Sequence, residues 1–193
     1  DHPSFGTALI GRILEKEGFS VGIISQPDWR QERSIQIYGE PRLAFLVGSG
    51  NIDSMVNNYT ASKRPRRTDE YSPGGKSGFR PDRALSVYVD MVKKSYPNTP
   101  VVIGGIEASL RRFAHYDYWS DIIMPSILVD TQADMLLYGM SETQIKTLAH
   151  GLAKGWPIHK IKDIPGTCYM SRSLPKGNKY TLISSFEEVS TEK

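Results

Sequence analysis

The residues able to do chemistry fall in four short stretches, each at what reads as a strand end or a helix start. Asp1 and His2 lie in 1–6, Ser49 and Asn51 in 48–53, Gly104, Gly105, Glu107 and Ser109 in 104–109, and Gly139 and Glu142 in 139–142. Three of these stretches bring glycine to the strand end, where the missing Cβ lets backbone approach a ligand, and helix N-termini follow. Hydroxyl, amide and carboxylate groups beside such turns suit a cofactor or a small phosphorylated ligand. All ten are candidate cofactor-binding positions, and no catalytic or metal-ligating residue is expected among them. The absence of G-x-G-x-x-G and of a Walker-type lysine turns the reading away from common dinucleotide and P-loop folds.

The elements that must position these stretches alternate between strand and helix. Residues 7–17 place Leu9, Ile10, Ile13 and Leu14 on one helical face, and Gly18 suits a C-terminal cap. Residues 21–25 form a short apolar run ended by Gln26-Pro27, as in a buried strand. A weak helix is expected over 32–38 and a strand over 43–47. The stretch 59–80 is polar and without periodicity. The helix over 82–96 carries Leu85, Tyr88, Val89, Val92 and Tyr96 on one stripe. Strands follow at 101–103 and 135–138, and Ser141-Glu142-Thr143-Gln144 caps a helix ended by Gly155. In the tail, 167–171 and 180–184 flank Pro175-Lys176-Gly177-Asn178, a hairpin pattern.

Such alternation predicts an α/β fold, a doubly wound and mainly parallel sheet of the flavodoxin-like kind, with a C-terminal β-hairpin appendage. At least four parallel strands are expected, with Gly48, Gly104 and Gly139 at carboxyl ends on one edge. Ligands in such sheets sit outside the carboxyl ends, where strand order reverses. The expected division is an α/β domain over 1–165 and a hairpin with the start of a linker over 166–193. Asp1-His2-Pro3 leads almost directly into a helix and Ser185-Phe186-Glu187-Glu188 opens another, so a piece of a larger protein is expected, its first strand upstream.

Composition narrows the chemistry. The chain has 193 residues, 39% of them hydrophobic, and a net charge of +3. No apolar run reaches the roughly 20 residues that span a bilayer. One cysteine, Cys168, allows no internal disulfide and sets the expectation of a cytoplasmic setting. An iron–sulfur cluster or thiolate zinc site needs several cysteines.

Several long strings carry a family resemblance. Asp1-His2-Pro3-Ser4-Phe5-Gly6, Asn51-Ile52-Asp53-Ser54-Met55-Val56-Asn57, Ser72-Pro73-Gly74-Gly75 and Arg80-Pro81-Asp82-Arg83-Ala84 resemble the YgiQ family of radical S-adenosylmethionine proteins. So do Gly104-Gly105-Ile106-Glu107-Ala108-Ser109-Leu110-Arg111-Arg112 and His115-Tyr116-Asp117-Tyr118-Trp119-Ser120-Asp121. The resemblance implies an amino-terminal domain preceding a radical barrel. In that barrel a C-x-x-x-C-x-x-C motif holds a [4Fe–4S] cluster, which binds S-adenosylmethionine. The motif is absent from these residues, so Cys168 reads as structural and neither cofactor is expected in this segment. The strand ends at 100–105 and 133–139 are also similar to those of cobalamin-binding domains. The cobalamin axial motif is D-x-H-x-x-G, whereas here His2 directly follows Asp1 and lies four residues before Gly6. His2 therefore reads as a loop-bonding residue, and cobalamin would bind without a protein axial ligand.

Between Lys63 and Arg83 seven cations (Lys63, Arg64, Arg66, Arg67, Lys76, Arg80, Arg83) face three acids (Asp69, Glu70, Asp82), a net +4 against +3 for the whole chain. This local charge suits phosphates, a nucleic acid or an acidic face of the barrel, and the stretch reads as poorly ordered. Few aromatic residues interleave with its arginines, unlike a single-strand-binding loop. The 110–121 cluster reads as a polar network at an interface. Three readings stay open: accessory domain of a radical enzyme, binding module for cobalamin or a phosphorylated ligand, and nucleic-acid module through 63–83.

Overall fold

The computed structural model describes residues 6–174 and 180–191. Helix α1 (Gly6–Lys16) leads to strand β1 (Phe45–Val47), then to α2 (Ser54–Asn58) and α3 (Ala84–Ser95). Strand β2 (Val101–Ile103) runs into α4 (Gly105–Leu110), a hairpin of β3 (His115–Asp117) and β4 (Ile122–Met124), and α5 (Ile127–Thr131). Strand β5 (Met135–Leu137), α6 (Glu142–Ala153), β6 (Thr167–Cys168) and α7 (Phe186–Thr191) complete the chain.

The main sheet has the order β1-β2-β5-β6. β1, β2 and β5 are parallel, with Phe45 opposite Val101 and Val102 opposite Met135, while β6 pairs antiparallel to β5. Side chains alternate across the strands, so each face has its own core. Val101, Ile103 and Leu136 pack with Leu85, Val89 and Val92 of α3 and with Ile127 and Leu128 of α5. On the opposite face Val102, Met135 and Leu137 pack with Leu14 of α1 and with Ile145 and Leu148 of α6. Leu85, Tyr88, Val89 and Val92 of the stripe expected from the 3.6 period are buried, while Tyr96 falls at the C-cap of α3 and is half-buried.

Several elements differ from the sequence expectation. Residues 21–25 join no strand; this segment lies against α1 and Tyr38, with Gly22 so close to the Tyr38 ring that a Cβ would meet it at 2.8 Å. An apolar run reports contact with a core and is silent about ladder pairing. The described parallel strands therefore number three, where four were expected. The helix expected over 32–38 is a single 3₁₀ turn, Glu32–Ile35. The hairpin expected in the tail is absent from the described residues: Thr167–Cys168 pairs with β5, and 180–185 carry no strand. Its turn, 175–178, lies outside the described residues. β1, β2 and β5 succeed one another in one direction, so among the described residues no reversal of strand order marks a ligand crevice. At α7 the capping box forms as read: Glu188 N–H donates to Ser185 Oγ at 3.2 Å and Ser185 N–H to Glu188 Oε2 at 2.7 Å.

Candidate functional site at the carboxyl edge of the sheet

Gly48 follows β1, Gly104 follows β2 and Gly139 stands two residues beyond β5, all on the carboxyl edge of the parallel strands, as expected. The three strand ends touch. A Cβ on Gly48 would lie 3.6 Å from the Gly104 carbonyl, and one on Gly104 would lie 3.4 Å from the Leu137 carbonyl. Gly105 (φ 83°) and Gly139 (φ 72°) occupy the left-handed region, where an L side chain is strained.

The polar candidates sort by what already holds them. Both oxygens of Glu107 accept backbone N–H groups, Oε2 from Ser54 at 2.9 Å and Oε1 from Leu85 at 3.1 Å. Glu107 thereby ties the starts of α2 and α3 to α4, and its charge faces the positive ends of both helices. Ser109 Oγ donates to the Gly105 carbonyl at 2.8 Å and accepts the Gly139 N–H at 3.2 Å, which locks the second loop to the third. Ser49 is buried: its hydroxyl donates to the Ile52 carbonyl, and its own carbonyl accepts from Arg80. Asn51 buries its amide nitrogen without a hydrogen-bond partner among the described residues. Glu142 opens α6 half-buried, its carboxylate making no hydrogen bond or ion pair among the described residues. Ser141 does not cap that helix with its side chain; its hydroxyl donates to the Gly139 carbonyl instead. Asp1 and His2 lie outside the described residues.

Other residues matter as much and were not singled out from sequence. Asp53 caps α2, accepting from Met55 N–H at 3.0 Å and Val56 N–H at 3.1 Å, and pairs with Arg111. Ser54 Oγ accepts the Ala84 N–H at 3.0 Å. An Asp-Ser pair before a helix of five residues has too little periodicity behind it to announce a cap.

The basic stretch is not the structureless loop expected. Its ends fold back through bridges between Tyr59 and Pro65 and between Thr68 and Lys76. Arg80 is buried, 3.5 Å from buried Asp69, and Ser72 donates to Asp69 at 2.7 Å. Burial works to raise the Asp69 pKa, and the hydrogen bonds of Ser72, Tyr71 and Asn57 with the Arg80 charge outweigh it, so the carboxyl stays below its usual range. Arg83, at φ 51°, reaches Asp117 of β3. Two of the seven cations are thus ion-paired within the fold, and Lys63, Arg64, Arg66, Arg67 and Lys76 remain at the surface.

A three-layer α/β domain with a glycine-lined carboxyl edge, its polar groups largely bonded to one another, is the class this geometry defines. A family profile described as "Radical SAM N-terminal" matches residues 1–193, and the chain belongs to that family. Among curated proteins it is similar to UPF0313 proteins, the YgiQ family its motifs resemble. It is 56% identical over 193 residues to that of Clostridium botulinum (strain 657 / Type Ba4), covering 100% of this chain and 30% of the relative. It is 53% identical over 193 residues to that of Methanocella arvoryzae, of which it covers 32%, and 52% identical over 190 residues to that of Thermotoga petrophila, of which it covers 33%. The chain thus spans about 30% of the length of the curated relatives it matches. No solved structure gives a significant match. Among the described residues no helix is long and apolar enough to cross a membrane.

Proposed function

We propose that these residues form the amino-terminal accessory domain of a radical S-adenosylmethionine enzyme, and that the carboxyl edge of the sheet docks against the rest of that protein. The observation that carries this reading is an exposed apolar cluster on that edge. Ile106 and Leu110, four apart on α4, share a helical face, and both are exposed with Phe113 and Met140. The Ser109–Gly139 bond sets the α4 and Met140 segments side by side, and the Arg112 guanidinium lies 4.8 Å from the Phe113 ring and 5.0 Å from that of Tyr138. Apolar surface rimmed by a cation and seated on rigid strand ends suits a permanent intramolecular partner.

In this reading the [4Fe–4S] cluster and S-adenosylmethionine belong to the rest of the chain. Cys168 is the one cysteine in 193 residues, half-buried in β6, and does not fit a site that needs three thiolates. The domain's own part is to present a shaped cover whose loops are held by Glu107, Ser109 and Asp53. Amide hydrogen exchange on the full-length protein tests the docking. Exchange over 104–112 and 138–142 should quicken in an Ile106→Asp, Leu110→Asp double variant while α3 stays protected. Unchanged exchange over both segments removes the edge as the docking face.

A further inference from the structure

We propose that the cleft between the basic turn 60–67 and the β3–β4 hairpin binds a nucleotide, a planar base carrying a phosphate, at a site separate from the carboxyl edge. In sequence the basic turn lacks aromatic partners; the fold supplies them from more than fifty residues away. Lys63 Nζ lies 4.7 Å from the Tyr118 ring and donates to the Trp119 carbonyl at 3.4 Å, while Tyr118 Oη donates to the Ala61 carbonyl at 2.6 Å. The Tyr59 and Trp119 rings stand 5.4 Å apart at 44°. Tyr59, Trp119, Lys63 and Asp82 line a solvent-open cleft of about 330 Å³, near the lower end of the roughly 300–1,000 Å³ of ligand pockets.

The chemistry of the walls is polarised. One wall carries the exposed Lys63, from a turn that also holds the exposed Arg64 and Arg67 and has no acid between Tyr59 and Thr68. On the other is the exposed Asp82 carboxylate, held by Asn58 Nδ2 at 2.8 Å and Tyr59 Oη at 2.6 Å, with lone pairs to spare. Trp119 Nε1 makes no hydrogen bond among the described residues and offers a further donor. A simple anion would use only the cations and face a nearby carboxylate. A neutral ring would use only the aromatic walls. A nucleotide uses every wall, with its base on Trp119 and Tyr59, an exocyclic amine toward Asp82 and the phosphate toward Lys63 and Arg64. Adenine, cytosine and guanine each bring an exocyclic amine to the Asp82 acceptor, whereas uracil brings only its ring N3–H and so makes the weaker partner.

The experiment is equilibrium binding to the full-length protein, with AMP, UMP, inorganic phosphate and a 12-residue single-stranded oligoadenylate as probes. AMP or oligoadenylate should bind several-fold tighter than the uracil counterpart and far tighter than phosphate. AMP binding as well per site as the oligonucleotide identifies a free nucleotide as the source; binding that requires the strand identifies single-stranded nucleic acid. Trp119→Ala should weaken binding at least about tenfold, with most of it restored by Trp119→Phe. The surface pair Lys63→Glu, Arg64→Glu, which touches no core, should weaken it as well and flatten the log–log salt slope for the strand by about 1.4. Phosphate competing as well as AMP, Trp119→Ala binding like the parent, or no binding of either adenine probe overturns the proposal.

Discussion

Arg83 and Asp117, 34 residues apart, meet through two hydrogen bonds, Nη2 to Oδ2 at 2.8 Å and Nη1 to Oδ1 at 3.2 Å. Arg83 stands at the entry to α3 in a left-handed conformation, and Asp117 is a buried residue of β3. This pair pins the hairpin that carries Trp119 to the helix that covers the main sheet. Ser120 shares it, donating its N–H to Asp117 Oδ2 and accepting at its hydroxyl from Arg83, each at 2.8 Å.

Acid should loosen the hairpin first. Burial works to raise the Asp117 pKa, but the Arg83 and Ser120 hydrogen bonds outweigh it and hold the carboxyl at about 2. The folded value lies below the unfolded one, so the contribution is present above about pH 4 and is lost as pH falls through about 2. It amounts to roughly 2 kcal/mol. Denaturation midpoints across that range should fall more steeply for the parent than for Asp117→Asn, whose deficit at neutral pH should shrink in acid. Parallel curves mean that the pair does not set the acid limb.

Glu107 is expected to behave as a structural carboxylate. Glutamine at 107 keeps one acceptor and turns an NH₂ toward the second backbone N–H, leaving a buried donor unmatched at about 1–3 kcal/mol. Alanine loses both bonds and leaves a void, costing about 3 kcal/mol or more. Ser54→Ala, which removes the acceptor for Ala84 N–H, should cost about 1 kcal/mol. Urea midpoints rank the three, and a Glu107→Gln variant as stable as the parent means that Glu107 is free for another role.

The carboxyl-edge glycines were legible because strand and helix periods alternate around them, which leaves little choice about where each turn falls. The burial of Arg80 and Asp69 was not, since a run of charges reads the same whether it meets solvent or an internal partner. The β3–β4 hairpin escaped because three-residue strands give too few alternations to count. Its pairing with the basic turn joins residues such as Lys63 and Trp119, whose proximity only the folded chain creates. For Glu107 the sequence offered a carboxylate beside glycines and gave no sign of two helix N-termini arriving to meet it.

Two glycines on the edge should differ in their tolerance of alanine. Gly105, at φ 83°, has no atom within 4 Å of a built Cβ, so alanine there meets backbone strain alone, about 1–2 kcal/mol. Gly48 is not in the left-handed region, and its Cβ would make an ordinary 3.6 Å contact with the Gly104 carbonyl. Thermal melting should place Gly105→Ala well below Gly48→Ala. The reverse order means that close approach at the strand end governs this edge, and conformation does not.

Cys168 should prove a slow nucleophile and no cluster ligand. Burial pushes its thiol up, against a weaker downward pull from Arg112, so less thiolate is present at neutral pH than for a free cysteine. Alkylation by iodoacetamide should therefore lag behind a cysteine-containing peptide, and Arg112→Ala should slow it further by removing the opposing charge. The side chain packs against the α3 face of the core, which gives Cys168→Ala an expected cost of about 1 kcal/mol. Iron content of the reconstituted full-length protein should be the same with and without that substitution. Alkylation faster than the peptide, or loss of iron on replacing Cys168, would move this thiol from the sheet's packing into the enzyme's chemistry.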